Sequence, residues 1–320
     1  MGHRTIAEVI DRRPTIYIPD DCPAVMARSA AYAKLLERAD VRYWDTLPGP
    51  ELVERIRDAE IVINIRSSCR FTADIFAACP RLKLLSIWGT GTDHIDLAAA
   101  ARHGVAITNT PGVAAISIAE HCLMLMLAVA RRIVDVDRRV RLGEWPRAQV
   151  SQMHGKTLGV IGLGAIGRQF ARLGGAIGMN VITWTMHPKP ELGFPHVELD
   201  ELLRRSDVVS LHLRLSDHTT GMLGREQFQM MRPGAILINT ARGAMVNEGA
   251  LIEALVSGHL AGAGLDVFAV EPLPADSAIK GLPTVVLTPH SAGVTPETVE
   301  AGLAMSIDNV WNWLARPVTV

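Results

Sequence analysis

Three short strings in the second half of the chain carry residue types that could act together on an acid substrate. Arg242 stands in Ile238-Asn-Thr-Ala-Arg242-Gly243, Glu271 in Gly264-Leu-Asp266-Val-Phe-Ala-Val-Glu271-Pro272, and His290 in Leu287-Thr-Pro-His290-Ser-Ala-Gly293. A guanidinium holds a carboxylate through two parallel hydrogen bonds. A histidine beside a carboxylate can give and take a proton near neutral pH, with the carboxylate orienting the ring and favouring its charged form. Singly, each has an ordinary alternative: Arg242 a solvated loop residue, Glu271 a loop acid before a proline turn, His290 one of eleven histidines. Their setting joins them. Each follows an apolar strand-like run, and open α/β sheets gather ligands at the C-terminal ends of their strands.

What must position these groups is announced upstream by Gly162-Leu-Gly164-Ala165-Ile166-Gly167. A strand-like run, Thr157 to Ile161, leads into it, and a helix-like run, Ala165 to Ile177, follows. In that setting G-x-G-x-x-G is a dinucleotide turn. The first glycine permits the turn, the second lets backbone approach a pyrophosphate, and the third lets helix and strand pack closely. Free N–H groups at the helix start and its positive dipole end suit phosphate.

The 320 residues suffice for two domains of ordinary size. A composition 48% apolar and 20% charged belongs to a globular protein with real cores. A formal net charge of −1 recommends neither nucleic acid nor an anionic membrane as partner. The N-terminus, with His3, Arg4, Glu8, Asp11, Arg12 and Arg13, lacks the apolar stretch of a signal peptide. The apolar run Cys122–Ala130 is too short to span a bilayer and reads as a buried helix. Four scattered cysteines (Cys22, Cys69, Cys79, Cys122) without C-x-x-C spacing argue against metal or disulfides, so no metal and a cytoplasmic location are expected.

The first third alternates strand-like runs (Thr15–Ile18, Val41–Trp44, Ile61–Ile65, Leu84–Ile87, Val105–Ile107) with helix-like ones such as Val25–Arg38 and Ile95–His103. That alternation predicts a parallel sheet covered by helices. A long helix, Ala115–Arg131, is the expected crossing between domains. Strands are then expected at Leu158–Ile161, Val181–Trp184, Val208–Leu211, Ala235–Ile238, Ala263–Val267 and Val285–Leu287, a doubly wound nucleotide-binding sheet. Pro296–Leu314 reads as a helix with one apolar face.

From Ile61 to Trp313 the chain resembles the D-isomer-specific 2-hydroxyacid dehydrogenases. The resemblance rests on RSSCRFTADIF, GTGTDHIDLAAAARHGV, TNTPGV, GKTLGVIGLGAIGR, LLRRSDVVSLHL, MMRPGAILINTARGAMVNEGAL, GAGLDVFAVEPLP and TPHSAG. It implies an α/β protein of two doubly wound parallel-sheet domains with a cleft between them. One is a Rossmann nucleotide-binding domain (109–291). The other is a flavodoxin-like substrate domain (1–108 with 292–320), discontinuous because the C-terminal helix closes it. It implies hydride transfer between a nicotinamide and a 2-keto acid, with His290 the acid/base, Glu271 bound to it, and Arg242 holding the substrate carboxylate and polarising the keto oxygen. Hydride arrival builds negative charge on that oxygen, which an imidazolium and an arginine would stabilise.

The resemblance also places Ala165 and Ile166 amides on the pyrophosphate, Thr240, Ala241 and Gly293 along the cofactor, and Asp266 on the nicotinamide carboxamide. Gly89-Thr90-Gly91 becomes the loop holding the substrate carboxylate, with Arg66 and Ser67 on the substrate side and Cys69 lining the cleft as a small residue. His94, His103 and His121 are given structural roles, and a homodimer is implied. The residue that would meet the adenosine ribose is Thr185, where an NAD-binding fold usually offers Asp or Glu. A neutral residue does not repel a 2′-phosphate, and His187 and Lys189 follow, so NADP is slightly favoured over NAD. Small keto acids such as glyoxylate or hydroxypyruvate are the expected substrates. The alternative is a dinucleotide-sensing interaction protein, like co-repressors on the same fold.

Overall fold

The computed structural model describes residues 13–65, 69–147, 149–188 and 190–315. Arg66, Ser67 and Lys189 lie outside them. The chain divides into two compact units, Met1–Ala114 with Thr295–Val320, and Ala115–Val294.

The first unit is built on a five-stranded parallel sheet of order β2-β1-β3-β4-β5. The strands are β1 (Thr15–Ile18), β2 (Asp40–Tyr43), β3 (Ile61–Asn64), β4 (Leu84–Ile87) and β5 (Ala106–Thr108). β3 and β4 are buried at every residue, as strands covered on both faces must be. Edge strand β2 instead alternates exposed and half-buried residues. The expected helix from Val25 to Arg38 is broken. A short 3-10 turn, Met26–Arg28, precedes α1 (Ala30–Arg38), because the Ser29 hydroxyl caps α1 by accepting the Ala31 and Tyr32 N–H groups. Helices α2 (Leu52–Ile56), α3 (Ala73–Ala78) and α4 (Leu97–Arg102) complete the crossovers. Cys69, expected to line a cleft, is 5% exposed and packs with Phe71 and Phe76 in this unit's core, where a small apolar thiol fits.

The second unit opens with α5 (Ala115–Arg131). This helix is no linker: Cys122, Leu125, Met126 and Val129 are buried against the second sheet. After α6 (Ile133–Arg141) come β6 (Thr157–Ile161), α7 (Ala165–Ala176), β7 (Asn180–Trp184), α8 (Leu199–Arg205) and β8 (Val208–Leu211). Then follow α9 (Arg225–Met230), β9 (Ala235–Asn239), α10 (Glu248–Val256), β10 (Leu260–Leu265) and β11 (Val285–Leu287). The sheet is parallel throughout, in the order β11-β10-β9-β8-β6-β7. β6 is thus flanked by β7 and β8, and the winding reverses at its C-terminal end, where such sheets bind ligands.

The last helix, α11 (Pro296–Leu314), returns to the first unit. Thr298, Gly302, Leu303, Ser306, Ile307 and Val310 form its buried face, at helical spacing. Ser86 in β4 donates to the Ser306 carbonyl at 2.9 Å, and the Arg38 guanidinium lies 4.1 Å from the Trp311 ring centroid. Among the described residues no helix is long and apolar enough to cross a membrane.

Candidate active site

The glycine turn sits at the winding reversal. Gly162 has φ +99°, and a Cβ there would lie 2.7 Å from the His212 carbonyl carbon, so both backbone and space demand glycine. Gly167 packs beneath the Gly162 carbonyl. Around Gly164 the space is open: a Cβ there would meet nothing within 4 Å. The first-turn amides of α7, Ala165 and Ile166 included, have no intrahelical acceptor. An open cradle above free amides fits a pyrophosphate. Arg168 Nε donates to the Gly164 carbonyl at 3.2 Å, which holds its positive charge at the turn. Thr185, half-buried, follows the last residue of β7 directly.

Arg242, Glu271 and His290 all fall in the second unit, on the loops after β9, β10 and β11. Asn239, 1% exposed, ties the first loop together. Its amide donates to the Arg242 carbonyl at 3.0 Å while its side-chain oxygen accepts the Ala241 N–H at 3.0 Å. Next to Arg242, Gly243 lets two loops touch, since a Cβ there would come within 1.9 Å of the Phe268 carbonyl carbon. That approach brings the Arg242 loop against the loop carrying Glu271. Arg242 is close enough for its charge to act on that carboxyl, and its Nη1 donates to the Ala241 carbonyl at 2.7 Å. Thr240 is 7% exposed, with its hydroxyl 3.1 Å from Cys122 Sγ.

His290 and Glu271 form a direct pair. Nδ1–H of the imidazole donates to Glu271 Oε2 at 2.7 Å, and Oε1 accepts the Phe268 N–H at 2.9 Å. Half-burial pushes the Glu271 carboxyl up. The hydrogen bonds from His290 and Phe268, with the charges of His290 and Arg242, outweigh this and hold it below its ordinary range. Glu271 is therefore an anion fixed on Nδ1, which leaves Nε2 on the opposite side of the ring from that bond.

His290 is held by Asp266, a part that spacing did not reveal. Asp266 is 1% exposed. Its Oδ1 accepts from Thr288 Oγ1 at 2.6 Å and from the Ser291 N–H at 2.9 Å, and its Oδ2 accepts the Ala292 N–H at 2.9 Å. The His290 N–H donates to the Asp266 carbonyl at 2.8 Å. Because Thr288 spends its proton on Asp266, its oxygen accepts from His121 Nε2–H at 2.9 Å. Burial lowers the His121 pKa, against the pull of Asp266, so this ring is a neutral donor at the end of a chain. Gly293 lies in the turn that follows this anchored loop.

In the first unit, His94 Nε2 contacts Asn64 Oδ1 at 2.9 Å, Asn64 donates to buried Asp20, and Asp20 accepts the Ile65 N–H at 2.9 Å. Neither Asp20 nor Asn64 was marked by sequence. The Gly89-Thr90-Gly91 loop corrects one expectation. The Gly89 N–H donates to Thr110 Oγ1 at 2.8 Å and is spent inside the protein.

Sequence and structure comparisons agree with this geometry. Residues 123–292 match the family described as D-isomer specific 2-hydroxyacid dehydrogenase, NAD binding domain. A glyoxylate reductase of Korarchaeum cryptofilum is 35% identical over 311 residues, 93% of this chain and 92% of that protein. The solved structure of an acyclic imino acid reductase, Bsp5, in complex with NADPH and D-Arg has a TM-score of 0.86 at 32% identity, covering 96% of this chain and 99% of that one. D-lactate dehydrogenase from Aquifex aeolicus, complexed with NAD and lactic acid, has a TM-score of 0.84 at 28% identity, covering 94% and 95%.

A parallel sheet with an open glycine cradle at its winding reversal, and a hydrogen-bonded His–Glu pair on neighbouring strand ends, has the layout of a dinucleotide-binding oxidoreductase. The chain belongs to the D-isomer specific 2-hydroxyacid dehydrogenase family. It is an enzyme interconverting 2-keto acids and 2-hydroxy acids with a nicotinamide dinucleotide, and the sensor reading is not favoured.

Proposed function

We propose that the chain is a reductase of a small 2-keto acid, of the size of glyoxylate or hydroxypyruvate, giving the D-2-hydroxy acid. The observation that carries this is the 2.7 Å His290–Glu271 pair on a loop next to that of Arg242. The bound nicotinamide supplies the hydride. His290 Nε2 gives its proton to the keto oxygen as negative charge builds there. Glu271 keeps the ring oriented and stabilises its charged form. Arg242 takes the substrate carboxylate with its planar fork and adds positive charge beside the oxygen. With Gly89 spent on Thr110, the Thr90 and Gly91 amides are the donors left in their loop for the carboxylate, and Arg66 and Ser67 are assigned to the same substrate side. Asp266 is assigned to the carboxamide in addition to its anchoring bonds, and Thr240, Ala241 and Gly293 to the cofactor's flank.

NADP is favoured over NAD because Thr185, not an acid, follows β7. The NADPH complex of Bsp5 shows that a relative of this fold uses that cofactor. A homodimer is proposed from the exposed Ile133 and Val134 of helix α6, and a cytoplasmic location from four scattered cysteines without C-x-x-C spacing. A spectrophotometric screen at 340 nm, crossing NADH and NADPH with a panel of 2-keto acids, tests the reading. His290→Ala should lower reduction by roughly 10²–10⁴-fold, the worth of general acid–base catalysis, while cofactor still binds. Turnover within a few-fold of wild type would remove His290 from its role.

A further inference from the structure

We propose that Arg214, on the loop after β8, is the residue that recognises the 2′-phosphate of NADPH; the assignment rests on the NADP reading above. Both strands beside β6 are tied to the glycine turn. The Gly162 N–H donates to the Trp184 carbonyl at 2.7 Å, and the His212 N–H donates to the Ile161 carbonyl at 2.7 Å. The chain leaving β7 at Thr185 and the chain leaving β8 at His212 therefore stand on either side of the cradle. Arg214 lies two residues past His212, about 7 Å farther out at strand rise. A ligand whose pyrophosphate sits at the turn extends its adenosine outward over these two strand ends.

Two cationic positions then face two anionic groups. The pyrophosphate is served at the turn by the α7 amides and Arg168. Arg214 is exposed, and among the described residues its guanidinium has no partner, whereas Arg204, Arg205, Arg225 and Arg232 of the same unit are all in ion pairs. The remaining anionic group of the cofactor is the 2′-phosphate. The β7 side offers it Thr185, Met186, His187 and Pro188, with neither an arginine to bind it nor a carboxylate to repel it. On the β8 side, exposed His218 adds to Arg214, and exposed Asp217 is the single acid from His212 to Thr220.

The Arg214 backbone is held in place. Thr219, 3% exposed, donates its hydroxyl to the Arg214 carbonyl at 2.8 Å and accepts the Ser216 N–H at 2.8 Å. A planar guanidinium on a fixed loop grips phosphate oxygens in pairs, which a lysine or histidine cannot do. Neither bond involves the arginine side chain, so substitutions there leave the loop intact.

Calorimetric titration of the full chain with adenosine 2′,5′-bisphosphate and with 5′-AMP tests the assignment without turnover or nicotinamide. Wild type should bind the bisphosphate more tightly. The ratio of the two affinities should fall roughly tenfold or more in both Arg214→Ala and Arg214→Gln, the worth of a charge-assisted hydrogen bond. The preference should also weaken with salt in wild type and lose that dependence in the variants. A preference that survives in both variants overturns Arg214's part and leaves the NADP reading standing. A wild-type ratio near one overturns the NADP reading itself, and the assignment with it.

Discussion

His290 works from a backbone that few histidines adopt. Its φ is +53°, a left-handed conformation that costs a non-glycine residue about 1 kcal/mol or more and persists only where its surroundings impose it. Asp266 imposes it, through bonds to Ser291, Ala292 and the His290 N–H. The ring is thereby aimed before substrate arrives, and the strain is one cost of that aim. Arg242, Glu271 and His290 were legible in sequence because their chemistry lies in the residue type and in their place after strands. Asp20, Asn64 and the His121–Thr288–Asp266 chain were not, because these clamps are defined by partners 22 to 167 positions away. Glu271→Gln should separate orientation from charge. The amide can still hold Nδ1–H, but it no longer stabilises the imidazolium, so the proton donor is lost earlier as pH rises. Reduction should be only mildly slowed at low pH and progressively more so at high pH. Superimposable pH–kcat/KM profiles for variant and wild type would mean the pair has no part in proton donation.

Strand ends, more than strands, make the site. Strands buried on both faces, such as Val208–Leu211, read directly as apolar runs. Edges were harder: β10 begins at Leu260, not Ala263, because two glycines and two alanines in Leu-Ala-Gly-Ala-Gly-Leu carry little strand preference and pair only through their backbones. One of the decisive contacts between loops, Gly243 against Phe268, joins segments whose meeting no local pattern encodes. Gly243→Ala should push the two loops apart and separate Arg242 from the Glu271–His290 pair. kcat/KM should fall at least tenfold with cofactor affinity nearly kept, since misplacement of about 1 Å costs on the order of 10²-fold. Full activity in a folded Gly243→Ala protein would show that the loops need not touch. Just past β8, His212 is half-buried, shares a hydrogen bond with Ser210 Oγ at 2.8 Å, and has its pKa lowered to about 3 by burial. The unfolded chain protonates this ring near pH ~6.5 while the folded one does not. Its contribution to stability is therefore complete above pH ~6.5 and lost as pH falls towards about 3, by an amount on the order of several kcal/mol. His212→Asn should flatten the acid limb of the denaturation midpoint over that window. An unchanged slope would mean that other groups set acid stability.

For the molecule as a whole, the unexplained surface is the stretch from α6 to Trp145. Helix α6 buries no residue, yet Ile133 and Val134 are 52% and 57% exposed, and Leu142 and Trp145 beyond it reach 71% and 75%. An isolated nine-residue helix is marginal in water and normally depends on packing for its stability. Its charges do not call for an oppositely charged partner, because Arg138 pairs with Asp135, Arg141 with Asp137 and Arg139 with Glu144. A neutral apolar face of this kind fits a second copy of the same chain, which would meet it with the same residues. Leu142→Glu with Trp145→Glu should convert a dimer into a monomer, measured by sedimentation equilibrium at micromolar protein. The midpoint of thermal unfolding should depend on protein concentration in wild type and not in the double variant, as mass action requires. Arg242, Glu271 and His290 lie wholly in the second unit and away in sequence from this stretch, so the monomer's loss should appear first in stability. A wild-type protein that sediments as a monomer at tens of micromolar, with a concentration-independent midpoint, would leave α6 to some other partner and remove the homodimer.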